Sequence, residues 1–276
     1  ASLQTRLGEL FMAFLGEVRR RTECDQLCLA GSFFYHSSMN TVAKRAALFS
    51  DVFVPVDPGS GALAVGAALH ATGSAACLAS PFLGPAYSAV ETKAVLDNCK
   101  LQYGWESEEG AIDAAVEALQ QGFLVGWFDG AMEWGRRALG ARCILASPFA
   151  PYVLENLNRF LKRREPWRGY ALSGLEWGVD AHFDGPATAP FMECDYRPRD
   201  PERFNRILPT PEAAVRVHTV GEGASPKFRR LLEAVGAASG LPFVVNTSFN
   251  GFHEPIVCSP RDAVRVFYGS GIDVLV

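Results

Sequence analysis

Short apolar segments that run into glycine turns alternate with helical segments in the first part of this chain. Residues 26–30 and 51–56 are apolar runs, and glycine follows each of them, at Gly31 and at Gly59. Over residues 3–18, leucine, phenylalanine and valine recur at the spacing of one helix face. Apolar runs of this length that end in glycine predict buried strands, so the alternation predicts an α/β fold.

A stretch with proline and glycine but little periodicity, residues 74–106, interrupts this pattern. We place a domain boundary in this stretch and predict two domains, residues 1–92 and residues 93–276. The α/β pattern resumes in the second domain. Its predicted elements are a helix at 112–119, a strand at 123–128, a helix from Pro151 to about 163, a helix from Pro226, a strand at 241–245, a helix after Ser259 and a strand at 272–276.

Positive charge is concentrated between Glu133 and Arg168, in a chain whose net charge is −4. Eight basic and three acidic residues fall in this segment. The basic residues are Arg136, Arg137, Arg142, Arg159, Lys162, Arg163, Arg164 and Arg168. Glycine at Gly130, Gly135 and Gly140 lets backbone N–H groups approach a ligand closely, and arginine and lysine bind phosphate or carboxylate. The segment therefore predicts a site for a polyphosphate or an acyl phosphate.

A solvated basic helix face over residues 158–164 is an equally good interpretation of the charge alone. It does not explain Arg137 and Arg142, because these lie among small and apolar residues, where an unpaired charge is costly. A second polar cluster, residues 246–251, follows the last long apolar strand, and ligands of open α/β sheets bind at such strand ends. Asparagine and serine also favour capped turns, so this cluster has a purely structural interpretation as well.

Several other classes of protein are disfavoured by the sequence. The five histidines lack the spacing of metal ligands, and neither a Gly-x-Ser-x-Gly elbow nor a Walker motif occurs. The seven cysteines form no Cys-x-x-Cys pair, which favours reduced thiols in a cytoplasmic protein. No apolar run reaches the roughly 18 residues of a membrane span, so a membrane is not an expected partner. The net charge of −4 argues against nucleic acid, including structured RNA.

From about residue 27 to its end, the chain resembles the carbamoyltransferase family. The segments that carry the resemblance are Glu133-x-Gly-Arg-Arg-Ala-Leu-Gly-x-Arg-Cys-Ile-Leu-Ala-x-Pro148, Asn158-x3-Lys162-x-Arg-Glu-x2-Arg168, Arg216-Val-x-Thr-Val220 and Asn246-Thr-Ser-Phe-Asn250. That family includes nodulation proteins and antibiotic-tailoring O-carbamoyltransferases, such as the tobramycin and hydroxymethylcephem enzymes. The order and spacing of these motifs make the resemblance specific.

The resemblance implies two functional units. Residues 93–276 look like the family's YrdC-like domain, which forms carbamoyl-adenylate from carbamoyl phosphate and ATP and releases pyrophosphate. Residues 1–92 look like the closing portion of a domain with the actin/sugar-kinase (ASKHA) fold, which passes the carbamoyl group to a hydroxyl or amine of a small-molecule acceptor. The resemblance to antibiotic-tailoring enzymes implies a natural product as this acceptor, and a role in antibiotic biosynthesis. Mg²⁺ is expected on the leaving pyrophosphate.

The adenylate-forming residues of the family are all matched in this chain. By resemblance, the catalytic residues are Arg137, Lys162, Arg168 and Arg216. By the same resemblance, the residues that bind the nucleotide or the carbamoyl-adenylate are Arg142, Asn246, Ser248 and Asn250. Fixed arginine and lysine donors suit a reaction in which charge develops on phosphate oxygens.

The transfer unit departs from the family pattern. Ser60 stands where the family has a metal-binding aspartate, and residues 31–36 lack the family's Gly-Gly-x3-Asn. We therefore predict no transfer-site metal in this chain, and expect a homodimer or a partner chain to supply the missing half of the transfer domain. The alternative is a non-catalytic nucleotide-binding subunit or relic of the enzyme.

Overall fold

The computed structural model describes residues 2–74, 78 and 80–276, and it contains nine α-helices within these residues. The helices are α1 (Ser2–Thr22), α2 (Ser37–Arg45), α3 (Ala62–Thr72), α4 (Ala89–Asn98), α5 (Glu108–Gln120), α6 (Val153–Glu155), α7 (Glu176–His182), α8 (Pro226–Ser239) and α9 (Pro260–Tyr268). Two 3₁₀ turns lie at Ser32–Tyr35 and Glu202–Phe204, and α6 continues into a π-helix, Asn156–Leu161. None of the helices in this part of the chain is both long and apolar enough to cross a membrane.

The strands form one small and one large sheet. The strands are β1 (Gln26–Cys28), β2 (Asp51–Phe53), β3 (Val125–Phe128), β4 (Arg142–Ala146), β5 (Ala171–Leu175), β6 (Phe183–Asp184), β7 (Cys194–Pro198), β8 (Val215–Val220), β9 (Phe243–Ser248) and β10 (Val274–Leu275). Strands β1 and β2 pair in parallel. The other eight described strands follow the order β10-β3-β4-β9-β5-β8-β7-β6, with both parallel and antiparallel neighbours. The predicted α/β class is confirmed.

The large sheet separates two hydrophobic cores. Val217 and Val245 belong to the core on one face, whereas Val244 belongs to the core on the other face, where α5 and α8 pack. Because side chains alternate along a strand, Arg216 lies on the α5/α8 face, and Asn246 does as well. The polar residues of β8 and β9 are therefore brought to the same face of the sheet.

The first part of the chain packs onto this sheet through polar side chains of α2. Lys44 Nζ lies 2.8 Å from Glu193 Oε1 in an ion pair that is mostly buried. Asn40 donates to the Glu193 carbonyl at 2.9 Å, and the Asp195 backbone N–H donates to Thr41 Oγ1 at 2.8 Å. These contacts join α2 to the start of β7, so residues of α2 lie close to the face that carries Arg216.

Two sequence predictions were wrong in detail. Residues 74–106, for which the sequence predicted a domain boundary and no helix, contain α4, which begins with a capping box between Ser88 and Glu91. The helix expected from Pro151 begins at Val153, because Tyr152 adopts a left-handed backbone conformation with φ 61° and separates Pro151 from the helix. The predicted starts of α8 at Pro226 and α9 after Ser259 are confirmed, and both helices have a serine N-cap.

Candidate active site

The loop between β3 and β4 is organised around a buried carboxylate. Glu133 Oε1 accepts hydrogen bonds from the backbone N–H groups of Leu139, Ala141 and Arg142, at 2.7 to 3.2 Å. Gly140 has φ 115°, and a Cβ at this position would lie 2.7 Å from the Phe228 ring, so only glycine fits. The glutamate and the glycine of the family-like motif thus fix the path of the loop that carries Arg137.

The four cationic residues predicted to be catalytic affect one another's pKa values, either directly or through Arg164. Burial and then the nearby Arg216 lower the pKa of Arg137 to about 10. Burial also lowers the pKa of Arg216, and Arg168 adds to this effect. Arg168 in turn lowers the pKa of Arg164, after the larger effect of burial. Burial and then Arg164 lower the pKa of Lys162 to about 7. The four predicted residues and Arg164 therefore form a continuous series of cations.

This series is poorly neutralised by the protein. None of Arg137, Lys162, Arg168 and Arg216 forms an ion pair with any residue in the described part of the chain. Asp195, paired with Arg216 across β7 and β8, raises the pKa of Arg137 and Arg216, but less than burial lowers it. Lys162 is buried, Arg137 and Arg216 are partly buried, and Arg168 is exposed. Cations that are withdrawn from water without a counter-charge favour an anionic ligand.

Two of the arginines are held by the first part of the chain. Arg137 Nη2 donates to the Tyr35 carbonyl at 3.0 Å, and Arg216 Nε donates to Ser37 Oγ at 3.2 Å. Each guanidinium keeps further N–H donors that these two contacts do not use. Neither partner was predictable from local sequence, since Tyr35 and Ser37 lie far from the arginines along the chain.

Lys162 lies against the turn that follows β9. Its Nζ donates to the Ser248 carbonyl at 2.7 Å, to the Asn250 carbonyl at 3.0 Å and to Asn250 Oδ1 at 2.8 Å. Ser248 Oγ also donates to Asn250 Oδ1, at 2.7 Å. A lysine has three N–H donors, so all of them are used here. A phosphate reaches Lys162 only by replacing one of these oxygens.

A π-helical turn sets the position of Lys162. The Lys162 N–H donates to the Leu157 carbonyl at 2.8 Å, five residues earlier in the chain. Within this turn the buried Asn158 donates to the carbonyls of Pro166 and Arg168 and accepts from Arg164 Nε at 2.9 Å. Asn158 thus fixes the loop that carries Arg164 and Arg168 relative to Lys162.

Asn246 begins a buried hydrogen-bond network on the same face of the sheet. Its side chain is 2% exposed, and Nδ2 donates to the Ala138 carbonyl at 3.0 Å and to Ser173 Oγ at 2.8 Å. Ser173 Oγ lies 3.0 Å from His218 Nδ1. This network ties Ala138, the residue after Arg137, to β9, β5 and β8. Ser173 and His218 are not among the site residues predicted from the sequence.

The side chain of Arg142 contacts backbone carbonyls of the fold. Its side chain is fully buried and donates to the carbonyls of Asp129, Ala141, Pro85 and Gly130 at 2.8 to 3.2 Å. Its guanidinium carbon also lies 3.7 Å from the centre of the Phe128 ring. These contacts account for a charge among apolar residues, so we assign Arg142 to the stability of the fold and not to ligand binding.

The turn that contains Ser60 has one buried carboxylate, Asp57. It accepts hydrogen bonds from the Tyr35 hydroxyl and, at 3.1 Å, from the Gly59 N–H. Ser60 itself is exposed. Among the described residues, no group of three or more histidine, cysteine, aspartate or glutamate side chains is arranged to hold a metal ion.

Comparison with known proteins identifies the family. The family description "Carbamoyltransferase C-terminus" matches residues 116–276. Nodulation protein NolO of Bradyrhizobium diazoefficiens is 30% identical, over 100% of this chain and 52% of that protein. Nodulation protein NolNO of Sinorhizobium fredii is 30% identical, over 100% of this chain and 42% of that protein.

A third relative is also similar over the whole of this chain. The 3'-hydroxymethylcephem-O-carbamoyltransferase of Amycolatopsis lactamdurans is 29% identical, over 100% of this chain and 52% of that protein. The chain thus spans about half the length of these curated relatives. The family match covers more than half of the chain and includes Arg137, Lys162, Arg168 and Arg216. This chain therefore belongs to the carbamoyltransferase family.

Proposed function

We propose that this chain forms carbamoyl-adenylate from carbamoyl phosphate and ATP, for transfer of the carbamoyl group to a small-molecule acceptor. The observation that carries the proposal is the series of cations that links Arg137, Arg216, Arg168 and Lys162 without an ion-pair partner in the described residues. Such a site has the charge needed to bind a triphosphate. Family membership supports carbamoyl chemistry.

The proposed reaction has two steps, which together consume one water molecule. Carbamoyl phosphate first loses its phosphate to water and gives carbamate. A carbamate oxygen then forms a bond to the α-phosphorus of ATP, and the bond from that phosphorus to the bridging oxygen breaks, so that pyrophosphate leaves. Negative charge develops on oxygens of the α-phosphate and of the leaving group, where Arg137, Arg168, Lys162 and Arg216 would stabilise it. None of these steps needs a nucleophilic side chain.

Mg²⁺ would accompany the ATP phosphates and neutralise charge on the leaving pyrophosphate. Asp195 neighbours Arg216 across the strand pair, and its charge raises the pKa of both Arg137 and Arg216. The other side chains of the proposed site are cationic or neutral. This composition fits a metal ion that is held chiefly by the phosphates of ATP.

Transfer of the carbamoyl group to an acceptor would require the other half of the transfer domain. This half could be supplied by a partner chain, by a second copy of this chain or by a segment of a longer polypeptide. The support for this part of the proposal is α3, whose sequence is apolar or small over almost all of its length although none of its residues is buried. Leu63 in this helix is 71% exposed. An apolar helix is normally covered on all sides, so the exposure of α3 supports the proposal that a further half-domain packs against it. Co-elution with a polypeptide that supplies this half would test it, and full transfer activity of this chain alone would contradict it.

The reaction is tested by mixing the protein with ATP, Mg²⁺ and carbamoyl phosphate. We expect pyrophosphate release that depends on carbamoyl phosphate, and carbamoyl-AMP detectable by mass spectrometry. Arg137→Ala should abolish most of the product, because it removes a charge-assisted contact worth about 1.5–3 kcal/mol or more. Arg159→Ala is the matched control, since Arg159 lies in the same basic segment but is exposed and paired with Glu155.

Nucleotide binding without pyrophosphate release would support the alternative, a non-catalytic nucleotide-binding subunit. Product formed equally well by the Arg137→Ala protein would contradict the proposed site.

A further inference from the structure

Tyr35 contacts side chains that lie far from it, and far from one another, along the chain. Its carbonyl accepts a hydrogen bond from Arg137 Nη2 at 3.0 Å, and its hydroxyl donates to Asp57 Oδ1. Its ring lies 4.7 Å from the guanidinium carbon of Arg136. Tyr35 therefore connects the turn at residues 57–61 to the loop that carries Arg136 and Arg137.

The hydroxyl of Tyr35 is held by a buried carboxylate. Asp57 is 6% exposed and forms no ion pair within the described part of the chain. A buried carboxylate without a cation needs hydrogen-bond donors, and Asp57 receives them from Tyr35 and, at 3.1 Å, from the Gly59 N–H. Hydrogen bonds to an ionised group are roughly twice as strong as those between neutral groups, so the tyrosine hydroxyl is held firmly.

The turn after Asp57 packs tightly against this hydroxyl. A Cβ at Gly59 would lie 2.6 Å from the hydroxyl oxygen, so the oxygen lies directly on the Gly59 backbone. The Gly31 N–H donates to the Pro58 carbonyl at 2.6 Å, which attaches the other end of the 3₁₀ turn Ser32–Tyr35 to the same residues. None of the four residues of this 3₁₀ turn is buried, so polar contacts of this kind help to set its position.

The carbonyl of Tyr35 orients a cation of the proposed phosphate site. Arg137 carries several N–H donors on a planar guanidinium, and the Tyr35 carbonyl accepts from one of them, on Nη2. Because the group is planar and rigid, a contact at one donor restricts the directions of the others. The carbonyl has no net charge, so it orients the guanidinium and leaves its charge available for an anion.

We propose that Tyr35 is a positioning residue for Arg137, and that Asp57 acts on the phosphate site through the Tyr35 hydroxyl. While this hydroxyl is held, the carbonyl of the same residue stays where it orients Arg137. The inference rests on the proposed function, in that the anion bound by Arg137 is taken to be ATP. It gives the turn that contains Ser60 a part in adenylate formation, although Tyr35 and Asp57 lie outside residues 116–276, which match the family description.

Tyr35→Phe tests the proposal, because it removes the hydroxyl and keeps the ring against Arg136. It should weaken ATP binding, measured by calorimetry, about fivefold, as expected for one lost hydrogen bond. In the Arg137→Ala protein the same substitution should change ATP affinity by less than about twofold, because no guanidinium is left to orient. If Tyr35 served the fold alone, Tyr35→Phe would weaken binding by the same factor in both proteins.

Tyr103→Phe is the matched control. The Tyr103 hydroxyl donates to Asp97 Oδ1 at 2.6 Å, so this variant also removes a hydrogen bond from a tyrosine to an aspartate, and its ATP affinity should equal that of the wild type. As a second variant, Asp57→Asn keeps an oxygen that accepts from Tyr35 and should retain more ATP affinity than Asp57→Ala. Unchanged ATP affinity in Tyr35→Phe, or the same loss with and without Arg137, would overturn the proposal.

A measurement without ATP separates this proposal from the reaction. Phenylglyoxal modifies arginine side chains, and mass spectrometry follows the rate at Arg137. This rate should rise in Tyr35→Phe, because the guanidinium is less restrained. Faster modification of Arg137, in protein that neither binds ATP nor releases pyrophosphate, would contradict the reaction and retain the positioning role. An unchanged rate, with normal pyrophosphate release by both proteins, would contradict the positioning role and retain the reaction.

Discussion

Arg216 Nε donates to Ser37 Oγ at 3.2 Å, across 179 residues of sequence. The arginine belongs to the large sheet and the serine to the first turn of α2. Together with the contact from Arg137 to the Tyr35 carbonyl, this places part of the arginine-binding surface in the first 92 residues. The phosphate site that we propose is thus built by both parts of the chain, although its charged residues come only from the second.

Ser37→Ala should weaken ATP binding several-fold without unfolding the protein. The change removes the side-chain acceptor of Arg216 Nε, so that the guanidinium is no longer held in one orientation. The expected cost is about 1 kcal/mol, as for a typical hydrogen bond. Calorimetric titration with ATP would measure it. Ser37→Thr keeps the hydroxyl and should restore binding, whereas equal binding by the alanine variant would show that Ser37 does not position Arg216.

ATP binding should weaken as pH rises through about 7, because burial and Arg164 lower the pKa of Lys162 to about 7. Below this pH the lysine is charged and attracts phosphate, and above it the free protein is neutral at this position. In Lys162→Arg the side chain stays charged, so this pH dependence should be lost. Affinities measured from pH 6 to pH 9, roughly three units around the pKa, would show the difference. Identical pH profiles for both proteins would contradict the prediction.

The same pKa shift has a consequence for stability. The unfolded chain holds its proton on Lys162 up to about pH 10, whereas the folded chain releases it near pH 7. Between these values the unfolded state binds more protons, so the contribution of Lys162 to the free energy of unfolding should increase with pH. Chemical denaturation of the wild type and of Lys162→Met at several pH values would measure this contribution by difference.

Arg142→Leu should destabilise the fold strongly. The substitution leaves the carbonyls of Asp129, Pro85 and Gly130 without their side-chain donor in a buried place. Each buried polar group that loses its partner costs roughly 1–3 kcal/mol, so a total loss of about 3 kcal/mol or more is expected. Thermal denaturation would measure it, and Arg159→Leu at an exposed position should change the stability by less than about 0.5 kcal/mol. Loss of ATP affinity at unchanged stability would instead assign Arg142 to the ligand.

Glu133→Ala should be more harmful than Glu133→Gln. One carboxylate oxygen of Glu133 accepts from three backbone N–H groups of the loop that carries Arg137. Alanine removes all three contacts, whereas the glutamine carbonyl can still accept. The loss on Glu133→Ala should reach about 3 kcal/mol, because buried N–H groups lose their partners. Urea denaturation of the two variants provides the comparison, and equal stability of both would contradict this role of the carboxylate.

Local sequence signals predicted the elements with strong caps and clear periodicity. Pro226 after Ser225, and Pro260 after Ser259, mark helix starts that the structure contains at the same residues. The capping box of α4 is also visible in the sequence, as Ser88 followed three residues later by Glu91. The helix was not predicted, because the nearby prolines and glycines indicate turns.

The contacts between distant segments were not predictable in this way. Charge and resemblance selected Arg137 and Arg216, but nothing local indicates that Tyr35 and Ser37 hold them, since pairing at this separation depends on the packing of α2 against β7. Arg142 has the same residue type and the same glycine-rich setting as Arg137. Its full burial, and not its sequence context, distinguishes the two.

The π-helical turn before Lys162 contains one residue more than an α-helical turn. A helical wheel drawn for this segment with regular α-helical geometry would therefore place Lys162 about 100° away from its true direction. Protein engineers who shorten this turn by one residue to regularise the helix would rotate the lysine away from the turn after β9. Conversely, a one-residue insertion is the smallest change that could have brought a lysine from the surface of an ordinary helix into this position.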